Sequence, residues 1–146
     1  TGPYPALATD AAPLLAAVML CAQGESSLQD RVFEHRFACA GGFAALGAKV
    51  RVAERTLYVR PAGALHGANL TAPDLRGGAA LVLAALAARG SSRLGGTEFI
   101  LRGYADLDRL LAGLGAQIWQ ETPARSGFKK KTPAKKQFCL AIGAKK

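Results

Sequence analysis

The sequence predicts an α/β fold with helices at the centre and strands outside, and three observations lead there. Segments 14–21 and 79–87 are apolar on every side, or nearly so, and a helix without a polar face must be surrounded by protein. Landmarks recur in one order at nearly one spacing: 64 from Asp10 to Asp74, 66 from Arg36 to Arg102, 68 from Gly47 to Gly115. Short alternating stretches with the period of half-exposed strands close each copy.

The elements follow in chain order. Asp10 is expected as the N-cap of the first helix, its carboxylate accepting from orphan amides of the first turn. Pro13 is tolerable because it falls in that turn, and Gly24 suits a C-terminal stop. A strand-like piece and Arg36 come next, then an amphipathic helix over 43–48 that ends in Leu46-Gly47-Ala48. Lys49-Val50-Arg51-Val52 and Thr56-Leu57-Tyr58-Val59 predict strands joined as a hairpin across Ala53-Glu54-Arg55. In the second copy Asp74 caps the next apolar helix and Gly90 stops it. A strand-like piece and Arg102 lead to a helix that ends in Leu114-Gly115-Ala116, followed by the strand Gln117-Ile118-Trp119. The units run over about 1–60 and 61–120. Asp106, Asp108 and Arg109 give the last helix a solvent face. Two units leave the central helices too exposed, so apolar burial predicts further units and a longer parent chain. The opening Thr1 and the internal Met19 agree with that.

With 146 residues, 50% hydrophobic and 20% charged, the chain is one small domain or part of a larger one. No apolar run approaches the roughly 18 residues a membrane span needs, and the opening Thr1-Gly2-Pro3, with neither a basic leader nor an apolar core, leads one to expect no signal peptide. A cytoplasmic protein without a membrane partner is expected. Cys21, Cys39 and Cys139 are irregularly spaced, which fits a reducing compartment and gives no metal pattern. No phosphate-cradling or dinucleotide motif is present, so no cofactor is implied. His35 and His66 are isolated and read as local residues, Trp119 as strand packing. The net charge of +9 is lopsided: residues 1–120 hold eleven Lys and Arg against nine acids, +2, and residues 121–146 hold eight against one, +7. The basicity belongs to 121–146, whose clustered lysines, Pro and Gly predict a disordered tail able to bind polyanions without sequence preference.

Five stretches together carry a resemblance: Thr1-Gly2-Pro3-Tyr4-Pro5, Thr9-Asp10, Phe33-Glu34-His35-Arg36-Phe37, Asp74-Leu75-Arg76 with its small-residue helix, and Arg102-Gly103-Tyr104. Over residues 1–119 the chain resembles the enolpyruvyl transferases, in the branch that acts on UDP-N-acetylglucosamine in bacterial peptidoglycan synthesis. It departs from their pattern at Ala6-Leu7-Ala8 and Gly77-Gly78, and the tail does not resemble them. The resemblance implies an inside-out α/β prism, here partial, built of βαβαββ units with buried helices and outer sheets. It also implies that this chain holds most of two units of one lobe. The partner N-terminal lobe, with its lysine and reactive cysteine, is then absent, and the fragment alone is inactive.

What the resemblance implies for function is residue by residue. The reaction moves the enolpyruvyl group of phosphoenolpyruvate to the 3′-hydroxyl of UDP-N-acetylglucosamine. Arg36 and Arg76 match positions that hold the phosphoenolpyruvate carboxylate, and Arg102 matches one that meets the same substrate. Arginine suits this because its planar fork meets carboxylate and phosphate in bidentate fashion. Asp10 matches the position at the reacting sugar hydroxyl, a candidate base, and Asp74 a carboxylate near the reacting carbon. Val32 matches a UDP-sugar contact. Taken singly, each residue also has an ordinary reading: surface arginine, helix cap, strand valine. Three alternatives stand beside this one: a small nucleic-acid-binding protein acting through its lysine arm, an interaction module completing a ring with a partner, and the 5-enolpyruvylshikimate-3-phosphate synthase branch.

Overall fold

The computed structural model describes residues 1–121 and the backbone of residues 139–143. A single 3₁₀ turn, Thr9–Ala11, leads into α1 (Ala12–Met19). β1 (Ser26–Gln29), α2 (Ala40–Ala45), β2 (Lys49–Ala53) and β3 (Thr56–Arg60) complete the first unit. The second comprises β4 (Asn69–Thr71), α3 (Leu75–Ala87), β5 (Ser91–Gly95), α4 (Thr97–Leu101), α5 (Leu107–Gly113), β6 (Ile118–Glu121) and β7 (Cys139–Gly143).

The duplication is visible in the sheets. The first is wholly antiparallel in the order β1-β3-β2, and the second runs β4-β5-β7-β6, with β4 parallel to β5 and the rest antiparallel. β7 thus lies between β5 and β6 as β3 lies between β1 and β2. This differs from the expectation of a disordered tail for residues 139–143: Cys139-Leu140-Ala141-Ile142 is an apolar run, and averaging charge over its lysine-rich surroundings hides it. The rest of the expected arm, 122–138 and 144–146, lies outside the described residues.

Helix ends repeat too. In α2 the amide of Gly47 donates to Ala44 at 2.9 Å and that of Ala48 to Phe43 at 3.0 Å; in α5 Gly115 donates to Ala112 and Ala116 to Leu111, both at 2.9 Å. Each is a Schellman closure, and it needs a left-handed residue, met by Gly47 (φ 91°) and Gly115 (φ 94°). The β2–β3 turn closes tighter than expected, because Ala53 already pairs with Thr56 and only Glu54 and Arg55 are left in the loop.

α3 is the centre. Eight of its thirteen residues are buried, and it packs against α1, α2, α4, β5 and β7. Leu28, Leu57 and Val59 of one sheet and Leu70, Leu94 and Ile118 of the other complete the core. α1 buries Ala12, Pro13, Ala16 and Ala17 but leaves Val18 62% exposed, and Leu15 and, on α3, Leu83 are exposed as well. Among the described residues α3 is covered by five elements and leaves only Leu83 and Ala87 exposed, whereas α1 leaves an apolar strip, Leu15 and Val18, uncovered.

Two helix expectations need correction. Asp10 is not an N-cap: Ala11 holds that place, with no side-chain cap bond, whereas Asp74 does cap α3, accepting from the Gly77 amide at 2.7 Å. The reason lies at the matching position, 64 residues earlier than Gly77, where Pro13 has no N–H to donate. α1 also stops at Met19 and α3 at Ala87, before Gly24 and Gly90, which instead turn the chain (φ 92° and 87°) into β1 and β5.

Candidate active site

The loop between β1 and α2 is organised by Asp30, a carboxylate with no exposed surface. Its Oδ1 accepts from the amides of Val32 and Phe33, both at 2.8 Å, which folds Asp30-Arg31-Val32-Phe33 into an Asx turn. Its Oδ2 accepts from the hydroxyl of Thr9. Desolvation pushes this carboxyl up, but the bonds from Thr9, Phe33 and Val32 outweigh it and hold the group below its ordinary range.

Arg36 stands within this loop. Its Nε donates to Thr9 Oγ1 at 3.0 Å and its guanidinium lies 4.2 Å from the Phe33 ring centroid. The side chain is 11% exposed and Nη2 reaches to 3.6 Å from Asp10 Oδ1. Arg76 comes from the first turn of α3. Its Nη2 donates to Asp10 Oδ2 at 2.9 Å and its Nη1 to the Tyr104 hydroxyl at 3.0 Å. Two guanidinium groups from different units thus converge on one carboxylate. The Arg76 hydrogen bond, with the charges of Arg76 and Arg36, holds the Asp10 carboxyl below its usual range against a smaller opposing desolvation.

These residues line one cleft of about 760 Å³, with Asp10, Val32, Arg36, Asp74 and Arg76 all on its wall. Glu34, His35 and Arg55 border it, Arg55 paired with Glu34 at 2.7 Å. Five of the six expected site residues therefore come together. Arg102 does not line this cleft: it follows α4, exposed, with its guanidinium 5.7 Å from the Phe99 ring. The Phe33–Arg36 and Phe99–Arg102 contacts are the same feature in both repeats. Asp30, Thr9 and Tyr104 are the site residues that sequence reasoning assigned no role. Thr9 and Tyr104 lie inside quoted motifs, and Asp30 sits two residues before Val32, but nothing local marks it as buried. A second concavity, about 340 Å³, lies on the first sheet, where Arg60 pairs with Glu25 at 3.1 Å and Arg51 stacks on Tyr58 at 4.6 Å. No group of three His, Cys, Asp or Glu side chains suited to a metal occurs among the described residues.

Helices packed against two like sheets, with an arginine-rich cleft at the start of the central helices, make an α/β architecture whose site is built for an anionic small molecule. Residues 1–111 match the family model described as EPSP synthase (3-phosphoshikimate 1-carboxyvinyltransferase), and the chain belongs to that family. Among its relatives, the UDP-N-acetylglucosamine 1-carboxyvinyltransferase of Desulfofundulus thermocisternus is 39% identical over 134 residues, covering 92% of this chain and 53% of the relative. That of Thermus thermophilus is 40% identical over 115 residues, covering 79% and 27%. The first alignment takes in residues beyond 120, where the sequence alone showed no resemblance. The crystal structure of the enolpyruvyl transferase NikO from Streptomyces tendae superposes with a TM-score of 0.69 at 38% identity, over 75% of this chain and 26% of that one. An EPSP synthase from Acinetobacter baumannii shares the fold, with a TM-score of 0.62 at 15% identity, over 94% and 29%. The chain spans about half the length of one curated relative and little more than a quarter of the others. Among the described residues no helix is long and apolar enough to cross a membrane.

Proposed function

We propose that this chain supplies the arginine–carboxylate side of an enolpyruvyl transferase site, and that the reaction moves the enolpyruvyl group of phosphoenolpyruvate to the 3′-hydroxyl of UDP-N-acetylglucosamine, the first committed step of peptidoglycan synthesis. One observation carries the reading: Arg36 and Arg76 point at a single carboxylate from two directions, at 3.6 and 2.9 Å. A pair of fixed cations so arranged suits a small carboxylic acid, which would share them with Asp10.

The roles follow from the chemistry. The sugar hydroxyl adds to C2 of phosphoenolpyruvate while C3 takes a proton, giving a tetrahedral intermediate. C3 then loses a proton, phosphate leaves C2, and the enol ether remains. Asp10 is the acceptor for the hydroxyl proton. Held low by its arginines it is a weak base, so transfer comes late, as the new C–O bond makes the proton acidic. Once the substrate carboxylate engages Arg36 and Arg76, their pull on Asp10 weakens and its basicity rises. Asp74 remains a helix cap whose second oxygen is free to stabilise positive character at C2 or to steer the C3 proton. Val32 offers backbone contacts to the UDP-sugar, and Arg102 meets phosphoenolpyruvate when the site closes.

The two repeat units, about 1–60 and about 61–120, the second completed by β7 from beyond that bound, are read as neighbours in one lobe, supported by the shared strand orders β1-β3-β2 and β5-β7-β6. The acid for C3 and the remaining phosphate contacts belong to the length of the relatives that this chain does not span. Both substrates are charged phosphate esters, and the reading puts the reaction in the cytoplasm. Calorimetric titration of phosphoenolpyruvate and UDP-N-acetylglucosamine into the chain tests this, with phosphate release followed in parallel. Binding without turnover is expected, with the phosphoenolpyruvate heat abolished in Arg36→Ala/Arg76→Ala and the sugar heat reduced in Asp10→Ala. Full-strength heats in both variants would overturn the assignment.

A further inference from the structure

We infer that Thr9 and Asp30 are positioning residues that aim the Arg36 guanidinium into the cleft through a hydrogen-bond relay, Arg36 Nε to Thr9 Oγ1 to Asp30 Oδ2. The value of that relay for phosphoenolpyruvate binding rests on the function proposed above; its existence as an orienting device does not.

The geometry constrains the guanidinium in two independent ways. The Nε–H is tethered to Thr9 Oγ1 at 3.0 Å, and the guanidinium carbon sits over the Phe33 ring, 4.2 Å from its centroid. A tether at Nε and a ring against the guanidinium together limit how the group can turn, and both terminal nitrogens are left for the cleft. Thr9 can serve because a hydroxyl has one proton and two lone pairs: it accepts from Arg36 and gives its proton to Asp30. Asp30 in turn cannot drift. It is fully buried, two backbone amides hold its other oxygen, and its charge lies 3.7 Å from Arg36 Nε. Ordering the fork before ligand arrives removes an entropic cost of binding.

The second repeat serves as an internal control. Phe99 and Arg102 reproduce the face contact of Phe33 and Arg36 at the same spacing of 66. The positions equivalent to Thr9 and Asp30 are Pro73 and Gly96, neither with a polar side chain, and Arg102 is exposed. The relay is therefore no by-product of the repeated scaffold; it occurs in the copy whose arginine lines the cleft.

The test uses Thr9→Val, which keeps the shape and removes both hydrogen bonds, and Thr9→Ser, which restores them. In the free chain the Arg36 Nε–H resonance in a proton–nitrogen correlation spectrum is expected to exchange slowly with solvent, to lose that protection in Thr9→Val and to regain it in Thr9→Ser. Phosphoenolpyruvate affinity, by calorimetry, is expected to fall roughly tenfold in Thr9→Val, the order of one hydrogen bond to a charged group, and to recover in Thr9→Ser. A protected Arg36 Nε–H in Thr9→Val, with affinity unchanged, overturns the inference. If the unsubstituted chain binds no phosphoenolpyruvate, the substrate assignment fails, and the Arg36 resonance still decides the relay: lost in Thr9→Val supports it, retained overturns it.

Discussion

Two adjacent glycines near the start of α2 are expected to respond to the same substitution with opposite sign. A Cβ built on Gly41 meets nothing within 4 Å, whereas one on Gly42 would overlap Leu81 Cδ2 and stand 3.0 Å from its Cδ1 and 3.3 Å from its Cγ. Leu81 is 1% exposed in the middle of α3, so its side chain has little room to swing aside. Replacing either glycine with alanine gains helix propensity, about 0.5–1 kcal/mol. At Gly42 the overpacking of Leu81 opposes this by about 1–3 kcal/mol. Gly41→Ala should therefore stabilise the chain and Gly42→Ala destabilise it. The propensity terms cancel in the comparison, so the two variants should differ by the packing term alone, about 1–3 kcal/mol. Urea unfolding followed by far-ultraviolet circular dichroism measures that difference. A further check is that Leu81→Ala costs less in the Gly42→Ala background than alone, since the cavity then accommodates the new methyl group.

The consequence reaches the cleft. Gly42 lets α2 lie close to α3, and these helices adjoin the loop that bears Arg36 and the turn that bears Arg76. Forcing them apart should weaken anion binding in Gly42→Ala and leave it intact in Gly41→Ala. Equal stabilisation by both substitutions would refute the close approach on which this reasoning stands.

Three more outcomes are expected. The Asp10–Arg76 pair, at 2.9 Å with side chains 58% and 30% exposed, should contribute only about 0.2–1 kcal/mol in a double-mutant cycle of unfolding free energies. Asp10→Ala should thus leave stability almost unchanged while altering ligand binding. Asp30 titrates below its ordinary 3.8 in the folded chain, so its contribution is full above the unfolded value and is lost as pH falls through the lower folded one. Unfolding midpoints measured from about pH 5 down to pH 2 should therefore fall more steeply for the unsubstituted chain than for Asp30→Asn. Burial pushes the Cys39 thiol up to about 12, whereas Cys21 is exposed. Iodoacetamide near neutral pH should label Cys21 and spare Cys39 until the chain unfolds, as peptide mass mapping would report.

What the sequence revealed and what it hid divide along the range of the interactions. Signals carried by neighbouring residues were legible: the glycine closures at Gly47 and Gly115, the β2–β3 hairpin, the Asp74 cap and the apolar girth of α3 all depend on residues within one or two turns. α4 was missed because Thr97-Glu98-Phe99-Ile100-Leu101 is too short for a helical period to show, and only the left-handed Gly96 before it marks the turn into a helix. β7 was hidden by composition, its five residues outweighed by lysines around them. Asp30 reads as a surface acid between Gln29 and Arg31, because its burial depends on Thr9, 21 residues away. The convergence of Arg36 and Arg76 on Asp10 spans 66 residues and became visible in the sequence only through family resemblance.

The duplicated scaffold is used unequally, and single residues decide how. Asp10 and Asp74 occupy equivalent places before the two central helices, yet one pairs with arginines and the other caps its helix. Gly77 offers Asp74 an amide, and its counterpart Pro13 offers Asp10 none. A carboxylate denied its local partner is free to serve a distant one, and the nearest cations are those of the cleft. The same logic separates the arginines: Arg36 has Thr9 and Asp30 behind it, and Arg102 has Pro73 and Gly96 in their place. Repetition supplies the two helices and two sheets, while departures from it, at Pro13, Thr9 and Asp30, set the first copy's carboxylate and arginine into one wall of the cleft.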